Sequence, residues 1–161
     1  MIDTLVRLLP RAEERFSAGA SKPYVLVILH RPSNVEDVSW LRELLATLAE
    51  LSSQINVVFP VHPRTRQRLD GLGPLPGASE HLRLLEPLPY VEFLALQRRA
   101  AMVITDSGGI QEETTFLTVP CLTVCENTER PITLTLGTNQ LVGKDLHRLR
   151  AAAAEIIGKS P

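Results

Sequence analysis

Apolar residues along this chain fall into two rhythms that alternate from end to end. Tyr24-Val25-Leu26-Val27-Ile28-Leu29, Ile55-Asn56-Val57-Val58-Phe59, Leu82-Arg83-Leu84-Leu85, Ala100-Ala101-Met102-Val103-Ile104 and Pro120-Cys121-Leu122-Thr123-Val124 are short, nearly continuous apolar runs. Runs of that kind suit parallel strands buried on both faces. Between them, Leu41, Leu44, Leu45, Leu48 and Leu51 recur at three and four, the spacing of an amphipathic helix. Tyr90 to Leu96 opens another helix, Gln111 to Leu117 a further one, and the alanine-rich residues 145–158 a last. Residues 2–16 read as a short amphipathic helix that Pro10 ends or kinks. Ser17 to Ser21 reads as a linker, and the glycines and prolines between Gly71 and Ala78 as a surface loop. Strand–helix alternation predicts an α/β fold, a Rossmann-like parallel sheet with helices on both faces and right-handed connections.

In such sheets ligands bind outside the carboxyl ends of the strands. The polar clusters fall at those ends: His30-Arg31, His62-Pro63-Arg64, Ser107-Gly108-Gly109 and Glu126-Asn127-Thr128-Glu129-Arg130. They are expected to line one rim. The stretch Thr105-Asp106-Ser107-Gly108-Gly109-Ile110-Gln111-Glu112-Glu113 places paired glycines between a strand and a helix. Glycines there allow close backbone approach, and the first N–H groups of the helix form an anion site. Glu113 follows Gly109 by four residues, one turn up the same face, where a carboxylate accepts hydroxyls. Phosphate at the turn and a sugar diol one turn above suggest a nucleoside diphosphate. Plainer readings stand beside this one. The turn could be an ordinary strand–helix corner, His30 and Arg31 a helix-cap pair or loop ion pair, and Thr128 to Pro131 a plain turn. By spacing alone, Tyr90 and Phe93 read as core, and Arg64, Arg66 and Arg68 as a solvated helix face.

At 161 residues the chain has the length of one domain with a proper core. Its net charge of −1 offers no electrostatic case for nucleic acid or an acidic membrane. No signal peptide or membrane-spanning run is visible. Cys121 and Cys125 are too few for a disulfide framework or a metal site and read as reduced thiols in a cytoplasmic protein. No metal and no cofactor is expected.

Five motifs in one order are more specific than any of them alone. They are His30-Arg31-Pro32-Ser33-Asn34, Val61-His62-Pro63, Asp106 to Glu113, Glu126-Asn127-Thr128-Glu129-Arg130-Pro131 and Gly137-Thr138-Asn139. Through them the chain resembles the carboxyl-terminal domain of the non-hydrolysing UDP-N-acetylglucosamine 2-epimerases, from about residue 1 to about residue 158. The resemblance implies one half of a two-domain GT-B-type architecture with the active site in the cleft between the halves. It implies interconversion of UDP-N-acetylglucosamine and UDP-N-acetylmannosamine by elimination and re-addition of UDP. Ser107, Gly108 and Gly109 are then expected to hold the diphosphate, and Glu113 the ribose. Phe93 would lie beside the uracil and Arg130 near the phosphates, while His30 would be catalytic, at the leaving diphosphate. His62 matches a position that meets a second, regulatory substrate molecule. Residues 1–20 would be a crossover helix and linker, and residues 21–161 the UDP-binding domain.

Two departures from the family pattern bear on this. The amino-terminal domain, whose carboxylates move the proton at C2, is not in these residues. Cys125 stands where close relatives usually carry arginine. UDP and a UDP-N-acetylhexosamine are the expected ligands, with a separate amino-terminal domain or a second copy of the chain as partner. A glycosyltransferase nucleotide-binding half and a non-catalytic UDP-binding remnant are the alternatives.

Overall fold

Every residue of the strand β1, Tyr24–Ile28, is buried, which puts it at the centre of the sheet. In the computed structural model, residues 2–15, 23–71, 73 and 80–159 are described. The expected linker and most of the loop between Gly71 and Ala78 lie outside them. The elements in order are α1 (Ile2–Arg15), β1, α2 (Pro32–Val35), α3 (Val38–Leu51), β2 (Asn56–Pro60), α4 (Pro63–Asp70) and β3 (Leu82–Leu85). There follow α5 (Tyr90–Arg99), β4 (Met102–Thr105), α6 (Gly108–Leu117), β5 (Cys121–Thr123), α7 (Ile132–Thr135), β6 (Asn139–Leu141) and α8 (Leu146–Lys159).

The strands form one parallel sheet in the order β3-β2-β1-β4-β5-β6. Strand direction of growth reverses between β1 and β4, where Val25 pairs with Met102 and Ile28 with Thr105. That junction is the topological switch point at which doubly wound sheets open a crevice. Successive side chains of β1 point to opposite faces. Val25, Val27 and Leu29 enter one core with Leu41, Leu44, Leu45 and Leu48 of α3 and Leu149 of α8. Tyr24, Leu26 and Ile28 enter the other, with Leu5 of α1, Leu94 of α5 and Leu117 of α6.

Three features differ from the expectation. The helix α1 continues through Pro10 to Arg15. Leu5 and Ala12, on either side of Pro10, are both fully buried, so packing pins both halves. Pro10 deprives the Val6 carbonyl of its helical donor, and both residues are exposed, where water can replace the lost bond. The second difference is the sixth strand, β6. Its Asn-Gln-Leu sequence has no apolar run, because it is an edge strand whose Asn139 is buried for its hydrogen bonds. The third is the pair of one-turn helices α2 and α7, each opening beside a proline in a segment whose apolar pattern predicts no element.

Thr118 ends α6 in the left-handed conformation, with φ 57° and ψ 36°. A side chain there is strained, whereas glycine adopts the conformation freely. Thr118→Gly is therefore expected to stabilise the protein by about 1 kcal/mol. Urea unfolding followed by circular dichroism checks this; an unchanged or lowered midpoint would contradict it.

Candidate functional site

The crevice at the switch point is held by a buried carboxylate. Asp106, fully buried at the end of β4, accepts from the backbone N–H of His30 at 2.8 Å and of Arg31 at 2.9 Å. Its Oδ2 also accepts from the Asn34 amide at 2.9 Å. Two backbone donors and one amide balance a charge that water cannot reach, and charge-assisted bonds of this kind are among the stronger ones. They stitch the chain after β1 to the chain after β4. The sequence motif around Asp106 does not reveal this role, because its partners lie more than 70 residues away in sequence.

From Asp106 the chain turns directly into α6. Ser107 is the N-cap; its Oγ accepts from the Ile110 N–H at 3.5 Å, a long and weak bond. The backbone N–H of Ser107 donates to Thr105 Oγ1 at 3.1 Å. Gly108 and Gly109 form the first turn, whose N–H groups have no intrahelical acceptor. Arg130 lies over this turn: a Cβ on Gly108 would stand 3.8 Å from its Cγ and 3.9 Å from its Cζ. Its Nε donates to Glu112 at 2.6 Å, which fixes the guanidinium there.

A buried polar network carries the loop that presents Arg130. Thr128 donates to Gln111 Oε1, and the Arg130 N–H donates to Thr128 Oγ1 at 2.9 Å. Asn139 of β6 donates to the same Gln111 oxygen at 3.0 Å and to Thr133 Oγ1 at 3.1 Å. Thr133 in turn donates to the Arg130 carbonyl at 2.6 Å. Each member of this set reaches a different element, so α6, α7 and β6 keep the loop in one position. Thr128 to Pro131 is thus a loop tied by named bonds to its neighbours. Gly137 belongs to the same joint, since a Cβ there would stand 2.6 Å from the Thr133 carbonyl oxygen.

One turn along α6 from Gly109 is Glu113, only 5% exposed. Its Oε1 accepts from the Tyr90 hydroxyl at 2.7 Å, while Oε2 is buried without a partner. Both residues line a cavity of about 350 Å³ with His30, His62, Leu88 and Phe93. A cavity of that size falls in the range of small-molecule sites, and an unpaired buried carboxylate oxygen is costly without a donor. His62 is the N-cap of α4: its Nδ1 accepts from the Arg64 N–H at 3.2 Å, while the ring is exposed at the cavity edge. Four of the residues singled out from sequence, His30, His62, Phe93 and Glu113, thus share one cavity. Ser107, Gly108, Gly109 and Arg130 form a separate cradle, and α6 joins the two.

Tyr90 was read as core by its spacing, and its bond to Glu113 carried no sequence signal. Cys125 is buried, with its Sγ 3.8 Å from the Asp106 carbonyl oxygen, and burial pushes the thiol up from its usual range. Among the described residues no group of three or more His, Cys, Asp or Glu side chains could hold a metal ion. No helix among them is long and apolar enough to cross a membrane.

A family model described as UDP-N-acetylglucosamine 2-epimerase matches residues 1–160. Over 129 residues the chain is 40% identical to the UDP-N-acetylglucosamine 2-epimerase of Methanococcus maripaludis, covering 78% of this chain and 35% of that relative. It is 33% identical over 163 residues to the UDP-2,3-diacetamido-2,3-dideoxy-D-glucuronate 2-epimerase of Pseudomonas aeruginosa, covering 99% of this chain and 44% of that one. The crystal structure of the Methanocaldococcus jannaschii UDP-GlcNAc 2-epimerase, in complex with UDP-GlcNAc and UDP, matches with a TM-score of 0.85 at 33% identity. That match covers 99% of this chain and 46% of the crystal structure's chain. The chain spans less than half the length of these relatives, and its sheet corresponds to part of a GT-B-like architecture.

Two measurements test the site's framework. Asp106→Asn replaces one acceptor oxygen with a donor that must face a backbone N–H or the Asn34 amide. A stability loss of about 2–4 kcal/mol is expected, and a urea midpoint close to wild type would contradict it. The second concerns Tyr24 and Tyr90, the two tyrosines. Burial pushes Tyr24 up to about 12, against a smaller opposing pull from Arg99. Tyr90 is raised further, first by burial and then by its bond to the Glu113 carboxylate. Both pKa values are above the unfolded value near 10, so their contribution to stability is complete below about pH 10 and is lost as pH rises further. Absorbance near 295 nm is expected to show little tyrosinate in the folded protein at about pH 10.5, and the urea midpoint to fall from there upward. Half-ionised tyrosine in the folded state at that pH would contradict it.

Proposed function

The chain belongs to the UDP-N-acetylglucosamine 2-epimerase family, and from that premise we propose that it is the UDP-binding half of a UDP-N-acetylhexosamine 2-epimerase. The activity it serves is interconversion of UDP-N-acetylglucosamine and UDP-N-acetylmannosamine by elimination and re-addition of UDP. The observation that carries this reading is Glu113: a buried carboxylate with one unpaired oxygen, in a cavity, one turn above a glycine-rich helix start. The UDP in the related Methanocaldococcus jannaschii complex adds to it.

In this reading Phe93 flanks the uracil, and Glu113 accepts from the ribose. Ser107, Gly108 and Gly109 receive the diphosphate on the first turn of α6, with Arg130 above it. The helix N-terminus and the guanidinium then stabilise charge as it builds on the departing diphosphate. His30, its backbone fixed by Asp106 and its ring on the cavity rim, donates to the leaving group. His62, on the same rim, contacts a second substrate molecule in a regulatory role. Residues 1–20 act as the crossover helix and linker, and residues 21–161 as the nucleotide-binding domain. Proton transfer at C2 belongs to carboxylates outside these residues, on a separate amino-terminal domain. Asp106 and Glu113, the buried carboxylates of this rim, are committed to the crevice and to Tyr90. The cytoplasm is the matching compartment, since both cysteines are buried free thiols.

Calorimetric titration with UDP, UMP and uridine tests the reading. UDP is expected to bind most tightly, and Glu113→Ala to cost about 1.5–3 kcal/mol of its binding energy. Uridine binding as tightly as UDP would remove the diphosphate from the α6 turn. The chain alone is expected not to exchange the C2 proton of UDP-N-acetylglucosamine in heavy water, as followed by proton NMR. Exchange that His30→Ala abolishes would place the base within these residues.

A further inference from the structure

We propose that Tyr90 is the positioning residue for Glu113: its phenol occupies Oε1 and fixes the carboxylate's rotation, so that Oε2 alone meets a ribose hydroxyl and ligands lacking that hydroxyl are rejected. The inference rests on the reading of the cavity as a UDP site. Sequence spacing and family resemblance assign the ribose to Glu113, and neither gives Tyr90 a part in binding.

Glu113 is, with Asp106, a buried charged side chain among the described residues, and the carboxylate has a free torsion unless something holds it. The Tyr90 hydroxyl does so from the start of the neighbouring helix α5, donating to Oε1 at 2.7 Å. Oε2 is left buried and unpartnered. A buried carboxylate oxygen without a donor is destabilising, and a donor supplied by the ligand removes that cost on binding. An analogue without the hydroxyl leaves the oxygen unpaired, and the penalty is then a rejection rather than a missing contact.

The placement of Tyr90 suits this. It is the first residue of α5, after Pro89, and Phe93 stands three residues on, near the same helical face. Both side chains line the cavity with Glu113. Base and sugar would thus be read in one register by two helices, with Phe93 and Tyr90 on α5 facing Glu113 on α6. Burial and the neighbouring carboxylate raise the phenol's pKa, so it remains a donor at any working pH. A tyrosinate would repel Glu113 and release it.

The test is calorimetric titration of the full chain with UDP, 2′-deoxy-UDP and 3′-deoxy-UDP. Wild type is expected to prefer UDP over at least one deoxy analogue by about tenfold. In Tyr90→Phe, UDP affinity is expected to fall by about fivefold or more, while that analogue changes by less than about twofold. Discrimination then collapses with the ring still in place. Tyr90→Gln, whose amide can donate to Oε1, is expected to recover part of it. Tyr90→Leu serves the same comparison if the phenylalanine variant does not fold. Equal weakening of all three ligands by Tyr90→Phe, or no change in any, would overturn the proposal and leave Tyr90 a packing residue. Wild type binding all three alike would overturn the ribose reading, and this inference with it.

Discussion

The carboxylate of Asp106 bridges the two strands between which the sheet reverses direction, and the site depends on that bridge. At the switch point the segments leaving two neighbouring strands diverge and open a crevice, where their buried backbone N–H groups need acceptors. In this chain two of those N–H groups, from His30 and Arg31, end on one buried carboxylate. Satisfying them internally removes the need for water at the base of the crevice. It also fixes where His30 and Ser107 stand relative to each other, because the residue that accepts the bonds is the one preceding the N-cap of α6.

Polar groups buried on the far side of α6 follow the same logic. Gln111 and Asn139 are nearly inaccessible, and their amides tie the edge strand β6 to the loop before α7. An apolar contact could hold that loop near the sheet, but it could not orient it. Hydrogen bonds have direction, and a connected set of them selects one arrangement. Arg130 is therefore held above the glycine turn by a network whose other members never reach the crevice.

Much of the fold was legible because strands buried on both faces must be largely apolar, as β1 is and as β4 is up to Thr105. The helix α3 was legible for a related reason, its leucine stripe facing a single core. Where burial serves hydrogen bonding, pattern fails. The edge strand β6 has a buried asparagine and an exposed glutamine, and nothing in its composition resembles a strand. Pro10 misled in the opposite direction, because local propensity yields when flanking residues such as Leu5 and Ala12 are fully buried.

The sequence by itself determined the α/β class, the polar strand ends on one rim, and the glycine turn with Glu113 one helical turn beyond it. These are consequences of local spacing, which a chain carries with it into any fold. Only the tertiary structure decided that Asp106 bonds to residues after β1, that Tyr90 meets Glu113, and that His30 and His62 open onto the same cavity. Those pairings join segments between 23 and 76 residues apart. No local periodicity encodes a partner at that distance; it is set by which strands lie side by side and which helices cover them.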